Sequence, residues 1–244
     1  LKAGNEPLTD EKKRKEYGEI LDQLQREVQK ENIPVLIMVD GWENSGKGFV
    51  IKDLTRELDP RYVRVEVFEG NDDVESAHPS VWRYWQKIPS NQEIVVYDRS
   101  FYSQVFNQTE RSDKHLDKRV KELLSLEHSL IQNGAIVIKL FLNVSEKTQK
   151  KRLKEMASSV KADMLMGEWD EVQNKHYEDH QKWFDKVLDA TDTQTSPWHI
   201  IDAEDFKEAS KVALATVIQE IEEGKAHVLS QRQIQDSKDR DYED

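Results

Sequence analysis

Residues 41–48 read Gly-Trp-Glu-Asn-Ser-Gly-Lys-Gly, with the spacing G-x-x-x-x-G-K. That spacing suits a loop whose backbone N–H groups cradle phosphate oxygens while its lysine reaches the transferring phosphate. Gly41, Asn44, Ser45, Gly46, Lys47 and Gly48 are therefore candidate phosphate-binding residues. A Ser or Thr normally follows the lysine and holds magnesium. Gly48 stands there instead and has no oxygen to offer. Magnesium takes oxygen ligands, often one or two carboxylates plus substrate phosphates. Two carboxylates are candidates: Glu43 inside the loop, and Asp98 at the end of the apolar run 93–98. Arg99 follows Asp98 and could reach phosphate. Lys47, Glu43, Asp98 and Arg99 form the candidate catalytic set, with Glu43 and Asp98 as the metal pair. The plainer reading of Asp98 is a helix N-cap.

These residues need a scaffold that brings loop and strand tip together. Residues 33–40 form a short, continuous apolar run, as a buried parallel strand does. Further strands are expected at 62–68, 93–98, 135–142 and 198–202. Helices are expected at 8–32, after the loop as far as Pro60, at 78–88, about 115–133, 145–156, 171–189 and about 205–223. Strand alternating with helix implies parallel βαβ units and a sheet covered on both faces. Ligands bind such sheets beyond the carboxyl ends of the strands, where both the loop and Asp98 fall. The chain divides into a helical arm at 1–32, a domain at 33–224 with a lid at about 145–190, and a polar tail or linker at 225–244.

Composition limits the partners. The 244 residues carry a formal charge of −12, which argues against broad nucleic-acid binding. No apolar run approaches the roughly 20 residues of a membrane helix. Cysteine is absent, excluding disulfides and thiolate metal sites and fitting a cytoplasmic setting. An anionic ligand then needs a locally basic pocket. The helix holding Lys147, Lys150, Lys151, Arg152 and Lys154 could draw a polyanion inward; the alternative is a solvated face. Arg83, between Trp82 and Trp85, is a further phosphate candidate, the tryptophans being read as core. His176 and His180 have i,i+4 spacing, but Tyr177 stands where a zinc protease needs Glu.

The segments GWENSGKG, LDPRYVRVEVF, WRYWQKIP, YDRSFY and SPWHIID together resemble the family-2 polyphosphate kinases, closest to the polyphosphate:AMP phosphotransferase branch. The likeness runs over about residues 10–224. It implies an α/β fold: a P-loop kinase-like three-layer sandwich, a five-stranded parallel sheet with helices on both faces and a helical lid. It implies magnesium-dependent phosphoryl transfer between inorganic polyphosphate and a nucleotide, AMP to ADP, in a homo-oligomer. Glu43 and Lys47 match the family's loop acid and loop lysine. Asp98 and Arg99 match the acidic-basic pair closing the strand, and the two acids match the magnesium-binding pair. Three departures stand out. Glu43 replaces the usual Asp. DRSFYSQ replaces DRSWYNR, so Ser103 and Gln104 stand for an amide and a cation. The lid segment 156–170 has Lys161 as its only cation, leaving Arg152, Lys154 and Lys161 as phosphate candidates from that region. Two other readings remain open: an ATP-dependent nucleotide kinase, against which Gly48 counts, and a catalytically weak polyphosphate-binding domain of a tandem protein, which the weak lid favours.

Overall fold

The apolar runs become strands because both faces of the sheet are covered. The computed structural model describes residues 10–68, 70, 77–108, 111–158 and 168–241. In chain order the elements are α1 (Asp10–Lys30), β1 (Val35–Gly41), α2 (Lys47–Thr55), β2 (Val63–Val67), α3 (Trp82–Trp85), β3 (Ile94–Asp98), α4 (Ser103–Phe106), α5 (Asp113–Gln132), β4 (Ile136–Asn143), α6 (Glu146–Ala157), α7 (Glu168–Lys175), α8 (Tyr177–Thr191), β5 (Trp198–Asp202) and α9 (Phe206–Asp241). The five strands form one all-parallel sheet in the order β2-β3-β1-β4-β5.

Alternate residues of β1 serve opposite cores. Val35, Ile37 and Val39 pack with Leu21, Leu54 and Leu214, from α1, α2 and α9. Leu36 and Met38 pack with Tyr84, Phe106, Leu123 and Phe184, from α3, α4, α5 and α8. The expected three-layer α/β architecture is therefore present. Val39 of β1 pairs with Asp98 of β3, so the two strands reach the crevice almost level. This alignment sets the loop after β1 beside Asp98 and Arg99.

Several elements differ from the sequence expectation. The helix expected at 78–88 has only four residues, and its buried aromatic is Tyr84; Trp85 is exposed. The helix expected at 171–189 is two helices, α7 and α8, separated at His176, whose backbone is non-helical. The segment 225–241, expected to be a polar tail or linker, continues α9. Gly224 directly follows the helix expected at about 205–223. It lies inside the helix because β4 passes close by: a Cβ there would come within 2.9 Å of Ile136 side-chain carbons. Beyond it the helix leans on the end of α1. Lys225 pairs with Glu27, and Arg232 donates to the Glu31 carbonyl at 2.6 Å. The amino-terminal helix is likewise packed down. Leu21, Leu24 and Val28 are buried in the core, and Arg14 of α1 pairs with buried Asp53 of α2 at 2.7 Å.

Under the β4–β5 half of the sheet lies a buried ion pair. Lys139 Nζ sits 2.9 Å from Glu127 Oε2 and donates to the Thr191 carbonyl at 2.7 Å. Glu127 also accepts from the hydroxyls of Tyr102 at 2.6 Å and Thr193 at 2.9 Å. Desolvation lowers the Lys139 pKa, and Glu127 opposes that shift. A fully satisfied buried pair tolerates its burial; half of one does not. Glu127→Ala is expected to destabilise the protein by about 3–5 kcal/mol in urea unfolding. A loss below about 1 kcal/mol would show that Lys139 finds water or another partner.

Candidate active site

Gly41 ends β1 with φ 138°, and a Cβ there would fall 2.4 Å from the Leu142 carbonyl oxygen of neighbouring β4. Only glycine fits this exit from the sheet. Each loop carbonyl from Gly41 to Ser45 then meets a donor. Lys47 Nζ donates to Trp42 O at 3.0 Å and Gly41 O at 3.5 Å. Gln149 Nε2 donates to Glu43 O at 3.1 Å. Arg152 Nη1 donates to Asn44 O at 3.0 Å and Ser45 O at 3.3 Å. Three loop N–H groups are engaged within the protein, Trp42 on Leu142 O, Ser45 on Trp42 O and Glu43 on Gln173 Oε1, so the cradle rests on the start of α2. The N–H groups of Lys47 and Gly48 open α2, where no intrahelical partner exists. That helix start makes an anion cradle. Ser45 Oγ is buried in the same loop and, among the described residues, has no hydrogen-bond partner.

The charges meet at Glu43. Its side chain is only 9% exposed and lies 3.4 Å from Lys47 Nζ and 2.9 Å from Arg99 Nη2. Burial alone would raise its pKa, but the adjacent Lys47 and Arg99 outweigh that and hold it below the usual glutamate value. Arg99 Nη1 is 3.9 Å from Asp98 Oδ1. One guanidinium therefore lies against both candidate metal ligands. Arg99 and Asn44 both have left-handed backbones, φ 64° and 59°, a conformation that side-chain-bearing residues adopt at a cost.

Asp40 is a site residue that the sequence reading missed. It ends the apolar run of β1 and looks like a loop boundary there. It is buried and accepts from the hydroxyls of Ser100 and Ser103 and from the Ser100 N–H at 3.2 Å. Burial pushes its pKa up, against the pull of both serines and Lys47. Asp40 thus pins the turn after β3, which carries Arg99, to the foot of the loop. Ser103, noted as a departure from the family pattern, is half of this clasp.

The lid helices grip the loop with uncharged amides, another feature missed. Gln173 Oε1 of α7 accepts from the Glu43 N–H at 2.8 Å, and Asn174 Nδ2 donates to Gln149 Oε1 at 3.2 Å. Trp42 stacks on Tyr177 at 4.1 Å and donates its indole N–H to Asn143 Oδ1 at 2.9 Å. A lone Gln149 within a run of lysines was the one sequence signal of this inward face.

The remaining candidates scatter. Arg152, expected on phosphate, is spent on loop carbonyls and on Ala203 O and Glu204 O, at 2.8 and 3.0 Å. Its helix turns Gln149 and Arg152 toward the loop, which leaves Lys147, Lys150, Lys151 and Lys154 exposed. Arg83 lies over the Phe68 ring at 5.2 Å and donates to Gly70 O, at the rim beyond β2. Lys161 lies outside the described residues. His176 is exposed and His180 buried, which removes the paired-histidine reading. Burial, then neighbouring Arg111, lowers the His180 pKa to about 4.

Chemically, Gly48 leaves a gap. A Cβ there would meet no protein atom within 4 Å. Among the described residues no cluster of three or more His, Cys, Asp and Glu could hold a metal. Two hard carboxylates beside an anion cradle do suit a magnesium ion that completes its shell with phosphate oxygens. Among the described residues no helix is long and apolar enough to cross a membrane.

Comparison with known proteins agrees with this geometry. Residues 6–228 match the family model for polyphosphate kinase 2. A polyphosphate:AMP phosphotransferase of Pseudomonas syringae pv. tomato is 30% identical over 174 residues, covering 70% of this chain and 35% of that protein. ADP-polyphosphate phosphotransferase 3 of Rhizobium meliloti is 28% identical over 203 residues, covering 81% of this chain and 71% of that protein. The chain thus spans about a third of the first relative's length and most of the second's. The crystal structure of polyphosphate kinase 2 from Arthrobacter aurescens TC1 superposes with a TM-score of 0.83 at 21% identity, covering 91% of this chain and 82% of that one. With a buried lysine–glutamate–arginine cluster on a glycine loop, and a family match over nearly its whole length, this chain belongs to the polyphosphate kinase 2 family.

Proposed function

We propose that the chain transfers a phosphoryl group from inorganic polyphosphate to a nucleotide, AMP becoming ADP. The observation that carries this reading is the buried Lys47–Glu43–Arg99 cluster beside a loop position, Gly48, that lacks the usual hydroxyl. Family membership supports polyphosphate as one substrate. The names of the relatives differ in the nucleotide, AMP for the Pseudomonas protein and ADP for the Rhizobium one. The motif resemblance to the AMP branch favours AMP. Magnesium, a cytoplasmic setting and a homo-oligomer belong to the same reading.

The mechanism follows from charge placement. Loop N–H groups and Lys47 hold the end of the donor chain. Arg99 exchanges its Glu43 partner for the oxygens of the transferring phosphoryl group. Glu43 and Asp98 would then hold magnesium, which supplies positive charge to the phosphate oxygens when bound. An oxygen of the acceptor's phosphate attacks the terminal phosphorus in line. A new P–O bond forms while the bond to the bridging oxygen breaks, and the shortened chain leaves with that oxygen. The attacking oxygen is already ionised, so no general base is required. Asp40 acts through Ser100 and Ser103, as a positioning residue for Arg99.

An assay with AMP, magnesium and long-chain polyphosphate is expected to yield ADP, and ATP is expected to be a poor donor. Transfer from ATP alone would favour an ordinary nucleotide kinase; binding without turnover would favour a weak partner domain. Lys47→Ala should lower kcat at least about 10²-fold. Undiminished turnover in that variant would remove the loop from the mechanism.

Glu43 also leaves a pH signature. Its folded pKa is depressed, so its contribution to stability is present above the usual glutamate value of 4.5 and is lost as pH falls through the lower folded value. Wild type should be more stable than Glu43→Gln at pH 7, and the gap should narrow as pH drops below 4.5. A gap that stays constant with pH would mean that the carboxylate is not charged between Lys47 and Arg99.

A further inference from the structure

One flank of the loop is closed by an aromatic column that the mechanism does not use. Phe206, the first residue of α9, lies against Gly46: a Cβ on Gly46 would come within 2.4 Å of its ring. On one side the Phe206 ring faces Phe49 of α2, with centroids 5.8 Å apart and planes 21° apart. On the other, the Arg152 guanidinium carbon sits 3.8 Å from its centroid. Arg152 cannot swing aside cheaply, because it also bonds the carbonyls of Asn44, Ser45, Ala203 and Glu204. Beyond Phe49 the Arg14 guanidinium carbon completes the column at 5.6 Å. Phe206 nonetheless remains 37% exposed, so its ring fronts solvent rather than filling a core.

The position of this column matters because a phosphate chain on such a loop has a direction. The lysine reaches the phosphates nearest the transferred group, and the loop amides hold those behind it. The rest of the donor then extends beyond the loop residues, of which Gly46 is one and has Phe206 against it. In a nucleoside triphosphate that remainder is a sugar and a base. In polyphosphate it is another phosphate unit, much narrower than a nucleoside.

We propose that Phe206, clamped by Arg152, is a donor-specificity residue: its ring fills the flank that the nucleoside of a triphosphate donor would need, and leaves passage for a bare phosphate chain. Rejection by a fixed obstacle is an effective route to specificity when both donors present the same phosphates to the cradle. The proposal deepens the polyphosphate reading and rests on it.

The test compares tripolyphosphate with ATP, which differ by one adenosine. Affinities for both are measured by calorimetry, alongside kcat/KM for AMP phosphorylation by polyphosphate and by ATP. Phe206→Ala should improve ATP relative to polyphosphate by about tenfold or more, in Kd and in kcat/KM. Phe206→Leu keeps bulk without the ring and should keep the wild-type ratio. An unchanged ratio in Phe206→Ala, with thermal unfolding and tripolyphosphate affinity intact, overturns the proposal. So does weaker ATP binding in both variants, which would make the ring a platform for the base. If wild type turns over neither donor, the polyphosphate reading fails, while the calorimetric ratio still decides whether Phe206 excludes a nucleoside.

Discussion

A carboxylate buried between two cations is the constraint around which this end of the molecule is built. Glu43 is nearly out of water, and its charge is tolerable only because Lys47 and Arg99 both reach it. The two cations come from different strand ends. Lys47 follows β1 by one turn of loop, and Arg99 caps β3. They meet because β1 and β3 are neighbours in level register, with the Arg99 N–H bonded to Val39 O at 3.1 Å. Arg99 keeps its left-handed backbone because Asp40 ties the following serines to β1. The sheet order thus determines where the charges meet.

Cations and neutral amides together hold the shape of the loop. The carbonyls of residues 41–45 are met by Lys47, Gln149 and Arg152, and α7 and α8 add Gln173 and the Trp42–Tyr177 stack. A loop held this way loses little entropy when an anion arrives, since its backbone is already fixed. Holding the loop also occupies Arg152, the basic-helix residue that turns inward. In the proposed mechanism, polarising the transferring group therefore falls on Lys47 and Arg99.

The sheet was legible because each strand is a short apolar run bounded by turn residues, and burial on both faces permits little else. The loop, Glu43, Asp98 and Arg99 were legible because their spacing encodes chemistry within a few residues. Contacts between residues far apart in the chain were not. Asp40 meets Ser100 and Ser103 only after β1 and β3 pair. Arg152 and the lysines around it are alike in sequence, and helical phase against the loop alone separates them. Gly224, directly after the expected helix end, is the opposite case. Glycine near a helix end usually marks a stop, but here it accommodates the close approach of Ile136, and the helix continues over α1.

Two glycines of the loop make the last distinction. Gly46 is imposed from outside: φ 98° and the Phe206 ring exclude any side chain. Gly48 is imposed by nothing among the described residues, since a Cβ there meets open space and its backbone is helical. Packing therefore does not account for the missing hydroxyl. On the proposed reading, the neighbouring acids take over from the hydroxyl. Glu43 and Asp98 together offer charged oxygens where serine would offer one neutral oxygen, and a divalent ion favours the charged donors. The cost is a negative pair beside a phosphate site, and Arg99, in contact with both, is the residue placed to screen it.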